Sequence, residues 1–119
     1  MLRQQQLSII AGDTTTYKLT LKSAGAPVDL SRQVLIMTIK VQAEDEDEQA
    51  LVRKRVTVAD DANARSGVGY IVLQSTDTNT LSPGNYVYDI KKVIPGSPPD
   101  VATVLWGTIS ISRSVTRSV

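Results

Sequence analysis

The chain has 119 residues, a formal net charge of +1, and neither cysteine nor histidine. A chain of this length forms one domain that buries enough apolar surface to fold without a disulfide or a metal. Balanced charge argues against a nucleic-acid partner, and the lack of histidine removes the usual zinc ligand and the base of serine or cysteine triads. No apolar run reaches the roughly 20 residues that cross a bilayer, so we expect a soluble protein.

Alternation of apolar and polar residues with a period of two predicts seven strands. They span residues 7–11, 14–22, 34–41, 51–58, 68–74, 85–94 and 101–112. The fifth strand is apolar on both faces, which is typical of a strand that is covered on both sides or lies near the centre of a sheet. In the seventh strand, Val101, Leu105, Ile109 and Ile111 are expected to share one face. Only residues 44–51 and 76–81 indicate short helical turns.

Turn residues separate these strands. Gly12-Asp13, Gly25-Ala26-Pro27 and Pro83-Gly84 favour tight corners, because glycine adopts positive φ and proline fixes φ near about −65°. The pattern predicts an all-β, immunoglobulin-like antiparallel β-sandwich of about seven strands with little or no helix. We expect residues 1–112 to form a single domain and residues 113–119 a polar C-terminal tail.

The order of motifs along the chain resembles that of small structural proteins of tailed-phage virions. The motifs on which this resemblance rests are Ile9-Ile10-Ala11-Gly12-Asp13-Thr14, Gly25-Ala26-Pro27-Val28-Asp29-Leu30-Ser31, Leu81-Ser82-Pro83-Gly84-Asn85-Tyr86-Val87-Tyr88-Asp89-Ile90 and Thr103-Val104-Leu105-Trp106-Gly107-Thr108-Ile109. The chain is similar to the immunoglobulin-like domains of baseplate upper proteins and of tail-fibre N-terminal regions. This resemblance covers nearly the whole chain and implies a sandwich that assembles into a particle and performs no catalysis.

The acidic loop is the strongest charge feature and consists of Glu44, Asp45, Glu46, Asp47 and Glu48. Three interpretations stay open for it: a solvated loop, a docking site for a basic partner, or a site for a hard cation such as calcium. The basic run Arg53-Lys54-Arg55 is expected to pair with it across a hairpin or to protect an edge strand, with phosphate binding as the alternative. Together with Arg113 and Arg117 of the tail, the acidic loop forms our candidate interface.

Further residues have expected roles in the fold. Trp106, the single tryptophan, is expected in the core, with an exposed interface anchor as the alternative. Tyr86 or Tyr88 is expected to bury its ring while its hydroxyl reaches the backbone, as in a tyrosine corner. Gly107 indicates a bulge or a close backbone approach. Asp60, Asp61 and Asn63 favour a turn stabilised by their side chains over a metal site.

No set of residues supplies nucleophile, base and stabiliser together, so we expect no catalytic residue, no cofactor and no metal. The expected function is that of a virion structural protein, first a tail or baseplate component and second a capsid decoration protein. A carbohydrate- or receptor-binding module is the alternative of a different class. The expected partners are other virion proteins and further copies of the chain in a symmetric assembly, without nucleic acid or membrane. The expected location is the virion, assembled in the host cytoplasm.

Overall fold

The computed structural model describes residues 3–116. Its elements are β1 (Arg3–Gln4), β2 (Leu7–Ile10), β3 (Thr15–Thr20), β4 (Lys22–Ser23), β5 (Ala26–Pro27), β6 (Val34–Lys40), a 3-10 helix (Asp47–Gln49), β7 (Val52–Thr57), α1 (Ala62–Arg65), β8 (Val68–Leu73), α2 (Ser75–Thr78), β9 (Gly84–Ile94) and β10 (Asp100–Ser112). The seven predicted strands correspond to β2, β3, β6, β7, β8, β9 and β10, with ends that differ by at most two residues. The predicted helical turns correspond to the 3-10 helix and α2.

The strands form two facing sheets and a small antiparallel hairpin of β4 and β5. The larger sheet has the order β1–β10–β9–β6–β7. β2 also pairs with β10, at residues 109–112, which follow the residues that pair with β1. β1 and β2 run parallel to β10, whereas the other neighbours are antiparallel. β3 and β8 form a second, antiparallel sheet. A sheet with β10, β9, β6 and β7 side by side, opposite the β3–β8 pair, has the strand order of an immunoglobulin-like sandwich, as predicted.

The core lies between the two sheets and is almost entirely aliphatic. Its largest fully buried side chains are Leu30, Leu35, Met37, Ile39, Ile71, Leu73, Ile90, Val104 and Ile109. The sheets approach closely at Gly69 of β8, where an added Cβ would lie 2.9 Å from Cδ1 of Leu35 on β6. Gly69 therefore lets β8 pack closely on the larger sheet, because an added Cβ would displace the end of the Leu35 side chain.

The expectation that β8 is covered on both faces or lies near the centre of a sheet is wrong. Tyr70 and Val72 are 44% and 38% exposed, while Ile71 and Leu73 are buried. Within residues 3–116, β8 pairs with β3 alone. The sheet therefore has one face on the core and one face without a covering layer.

The face prediction for β10 is also wrong at its first residues. The pairing of β10 with β9 shifts register between Thr103 and Leu105, so that Val104 is an extra residue in the strand. One extra residue reverses the facing of the residues before it. Val104 and Leu105 are consequently both buried, whereas Val101 is exposed and does not share a face with Leu105.

Candidate functional site

The outer face of the larger sheet, which we call the open face, carries a groove of about 370 Å³. It is crossed by β10, β9, β6 and β7 and is bordered at one end by the acidic loop. The lining residues are Gln4, Ile36, Thr38, Lys40, Ala43, Asp47, Arg53, Val87, Tyr88, Asp89, Lys91, Trp106, Gly107 and Thr108. This lining combines apolar surface with a few convergent polar groups, as binding sites do.

Trp106 lies in this groove and is 42% exposed, so the expectation that it belongs to the core is wrong. The bulge at Val104 explains its position, because Leu105 then occupies the inward side of β10 and Trp106 the outward side. The structure thus favours the alternative role, an exposed aromatic side chain available as an anchor.

Trp106 belongs to a row of side chains that runs across the open face. It lies directly opposite Asp89 of β9, and Asp89 lies opposite Thr38 of β6. Thr38 in turn lies opposite Arg53 of β7. Directly opposite residues of antiparallel strands have Cβ atoms about 4.5–5.5 Å apart. The Trp106 indole and the Asp89 carboxylate are therefore neighbours on one face.

Asp89 is a half-buried carboxylate without a direct partner. Within the described part of the chain, no hydrogen bond or ion pair reaches it. Burial raises the pKa of Asp89 above its usual value, although the positive charges of Lys91 and Lys40 oppose this rise. The groove therefore holds an acceptor group that a ligand is able to satisfy.

The two lysines beside Asp89 are held by other groups. Nζ of Lys91 donates to Oγ1 of Thr103 over 2.8 Å. Nζ of Lys40 donates to Oδ1 of Asp47 over 2.9 Å and to the backbone carbonyl of Asp45 over 2.8 Å. The hydrogen bond and charge of Lys40 lower the pKa of Asp47. These contacts fix the lysine side chains at the edges of the Trp106–Asp89 pair.

The acidic loop connects β6 to β7 and includes the 3-10 helix. Asp47 makes ion pairs with Lys40 and, over 3.6 Å to Nη2, with Arg53. The predicted pairing of the acidic and basic runs is therefore confirmed for Arg53, whereas Lys54 of the same run pairs with Asp77. Oδ2 of Asp45 accepts a hydrogen bond from the backbone N–H of Gln42. Glu44 and Glu48 are exposed and have no partner among residues 3–116. Their carboxylates are free to meet another molecule.

The other half of the candidate interface lies beyond β10. Arg113 follows the last residue of β10, and the strand pairing places it at the same end of the larger sheet as the acidic loop. Arg113 lines a separate cleft with Gly12, Asp13 and Asn79. No ion pair joins it to the acidic loop within the described residues. Arg117 lies outside the described residues.

Several predicted structural roles are confirmed. The hydroxyl of Tyr86 donates to the Ser82 carbonyl and that of Tyr88 to the Gln5 carbonyl, each over 2.6 Å. Gly107 lies so close to Gln5 that an added Cβ would overlap the Gln5 carbonyl oxygen. These contacts attach the segment after β1 to the larger sheet.

The polar loop before β8 is a capped turn, as its side chains suggested. Oδ1 of Asp61 accepts from the backbone N–H of Ala64 at the start of α1. Asp60 pairs with Arg32 and Arg65. Residues 3–116 contain no group of three or more acidic, histidine or cysteine side chains placed to hold a metal ion. Among these residues, no helix has the length and apolar character to span a membrane.

Asp89 and Lys91 were not predicted from the sequence to belong to a binding groove. Their alternation with Tyr88 and Ile90 was the available signal, because it places a carboxylate on the outer face in the middle of a long strand. What the alternation does not give is the neighbour on the next strand, which depends on the register and on the bulge in β10.

Comparison with known proteins adds little to this site. No family model matches the chain, and no curated protein matches it. One similar solved structure comes from photo-crosslinking analyses of multimeric cell-adhesive interactions of VGSC beta subunits. The two chains are 13% identical over 95% of this chain and 93% of the other, with a TM-score of 0.38. This similarity is too low to support a fold or a function, so the assignment of the fold rests on the strand order.

Proposed function

We propose that this chain is a non-enzymatic docking domain of a tailed-phage virion, a tail or baseplate component that binds other virion proteins and copies of itself through the open face. One observation carries the proposal: the single tryptophan lies exposed in a groove on the outer face of the larger sheet. The motif resemblance described above supplies the virion context.

The chemistry of the open face suits protein docking. Tryptophan is enriched among the residues that dominate binding energy, because one side chain removes a large apolar area from water. The exposed carboxylates of Glu44 and Glu48 belong to the acidic loop, which borders this groove through Ala43 and Asp47. Rim charges accelerate encounter with an oppositely charged partner and contribute less to the final affinity.

The test compares two exposed aromatic side chains on opposite faces. Trp106→Ala removes the proposed anchor, and Tyr70→Ala is the matched control, since Trp106 and Tyr70 are 42% and 44% exposed. The measurement is the copy number of each variant in tail and head fractions of purified particles, by quantitative mass spectrometry. We expect Trp106→Ala to be depleted from the tail fraction at least tenfold, which corresponds to about 1.4 kcal/mol of docking energy, and Tyr70→Ala to be retained.

The outcomes separate the candidate positions. Many copies of the unaltered chain in the head fraction would replace the tail assignment with capsid decoration. Normal incorporation of Trp106→Ala, or absence of the unaltered chain from both fractions, would refute docking through the open face.

A carbohydrate-binding module is the second candidate function, and the same tryptophan favours it. Sugar rings stack on exposed indoles, and hydroxyls of Thr38 and Thr108 and the amide of Gln4 line the groove. Titration of the domain with host-surface polysaccharide distinguishes this function, because saturable binding that Trp106→Ala abolishes would support it over protein docking.

A further inference from the structure

In the groove, the aromatic ring of Trp106 lies beside a carboxylate, that of Asp89, which has no hydrogen-bond or ion-pair partner among the described residues. Trp106 and Asp89 lie opposite each other on neighbouring strands. A half-buried carboxylate without a partner is a favourable place for a cation, which also gains from contact with an indole face.

The lining of the groove carries the carboxylates of Asp47 and Asp89 and the cations of Lys40, Arg53 and Lys91, and the acidic loop at its end adds further negative charge. Six carboxylates belong to the open face and the acidic loop, against four basic side chains. The acidic residues are Glu44, Asp45, Glu46, Asp47, Glu48 and Asp89, and the basic residues are Lys40, Arg53, Arg55 and Lys91. Lys40 and Arg53 both pair with Asp47, so these three charges are engaged with one another, and five carboxylates remain against Arg55 and Lys91. The face is complementary to a basic partner.

We infer that the open face recognises an arginine side chain of a partner protein, with its guanidinium against the Trp106 indole and its N–H groups bound to the Asp89 carboxylate. This inference rests on the proposed docking function and names the chemistry of the partner's anchor.

Arginine fits this position better than lysine for geometric reasons. Its guanidinium is planar, stacks on aromatic rings and donates two parallel hydrogen bonds to one carboxylate, whereas an ammonium acts as a point charge. The groove volume of about 370 Å³ accommodates a long side chain together with neighbouring backbone. Lys91 and Lys40, held by Thr103 and Asp47, flank the position without occupying it.

The first experiment uses the single tryptophan as an optical reporter. The full chain is titrated with three peptides of the form acetyl-(Gly-X)3-amide, in which X is arginine, lysine or citrulline, while Trp106 fluorescence is recorded. Citrulline has nearly the shape of arginine without its charge. We expect saturable binding of the arginine peptide, at least threefold weaker binding of the lysine peptide and no binding of the citrulline peptide.

A substitution then assigns the contact to Asp89. Isothermal calorimetry with the arginine peptide compares Asp89→Asn with the control Asp100→Asn, which alters an exposed aspartate at the start of β10. We expect Asp89→Asn to weaken binding about tenfold, as for loss of a charge-assisted hydrogen bond, and Asp100→Asn to leave it unchanged. Circular dichroism verifies that both variants are folded.

Three results would overturn the inference: equal binding of the arginine and citrulline peptides, unaltered affinity of Asp89→Asn, or saturable binding of maltohexaose without binding of the arginine peptide. The last result would assign the groove to sugars. Failure of the docking function is distinguishable from failure of the arginine anchor. If docking fails, Trp106→Ala is fully incorporated into particles, independently of the result of the peptide titrations. Loss of incorporation for Trp106→Ala, combined with no peptide binding, would retain docking and reject the arginine anchor.

Discussion

Substitution of Gly107 by alanine tests how the edge of the larger sheet is held together. Gly107 has a φ of +154°, and an added Cβ would overlap the Gln5 carbonyl oxygen and lie 3.1 Å from the Gln5 carbonyl carbon. Both neighbours are backbone atoms, so the segment between β1 and β2 has to move away. That movement breaks two hydrogen bonds, from Gln5 N–H to the Trp106 carbonyl at 2.9 Å and from the Tyr88 hydroxyl to the Gln5 carbonyl at 2.6 Å.

The expected loss follows from these two bonds. Each contributes about 1 kcal/mol to stability, so displacement of the segment costs about 2 kcal/mol. For a domain of this size, that loss lowers the melting temperature by about 8 °C. Gly84→Ala is the matched control, because Gly84 has a φ of +155° and no atom within 4 Å of an added Cβ. Alanine therefore carries the same backbone strain at both positions, and only Gly107→Ala adds the collision.

The assay is thermal and urea unfolding of both variants, monitored by circular dichroism. We expect Gly107→Ala to unfold about 8 °C below Gly84→Ala. Equal destabilisation of the two variants would refute the reasoning, because backbone strain alone would then explain the need for glycine at residue 107.

Three further predictions concern single side chains. The Tyr17 hydroxyl is buried without a hydrogen-bond partner, and burial raises its pKa to about 12, so Tyr17→Phe is expected to stabilise the fold by up to about 1 kcal/mol in urea unfolding. Tyr88→Phe loses the bond to Gln5 and is expected to cost about 1 kcal/mol in the same assay; an equal response of the two variants would contradict this contrast. Because the folded pKa of Asp89 is raised, its protonated form stabilises the fold at low pH and this contribution is lost as the pH rises through that pKa. Asp89→Asn is therefore expected to melt above the unaltered protein near pH 7 but not near pH 3, and a pH-independent difference would argue against a raised pKa.

Predictions from the sequence were correct where the interacting residues lie close together in the chain, and wrong where they lie far apart. Tyr86 and Asp61 were assigned correctly because their partners, Ser82 and Ala64, lie within four residues. Tyr70 and Trp106 were misjudged because their exposure depends on layers and pairings far away in the chain. An apolar residue in a strand shows no sign in the sequence that its sheet has only two strands.

The candidate site divides in the same way. The acidic loop and its pairing with Arg53 were readable, because opposite charges that flank a predicted hairpin meet when the hairpin forms. The groove was not readable, because Trp106, Asp89 and Thr38 come from three strands and meet only through the register of the larger sheet.

The sequence by itself determined the strands, the corners between them and the sandwich class, since these follow from alternation of apolar residues and from the local geometry of glycine, proline and aspartate. Only the tertiary structure decided which faces are exposed and which side chains meet on them. One extra residue at Val104 directs Leu105 inward and Trp106 outward, and strand pairing then brings Trp106 beside Asp89. Facing in a strand alternates residue by residue, so a single bulge determines whether the tryptophan lies in the core or on the exposed outer face of the sheet.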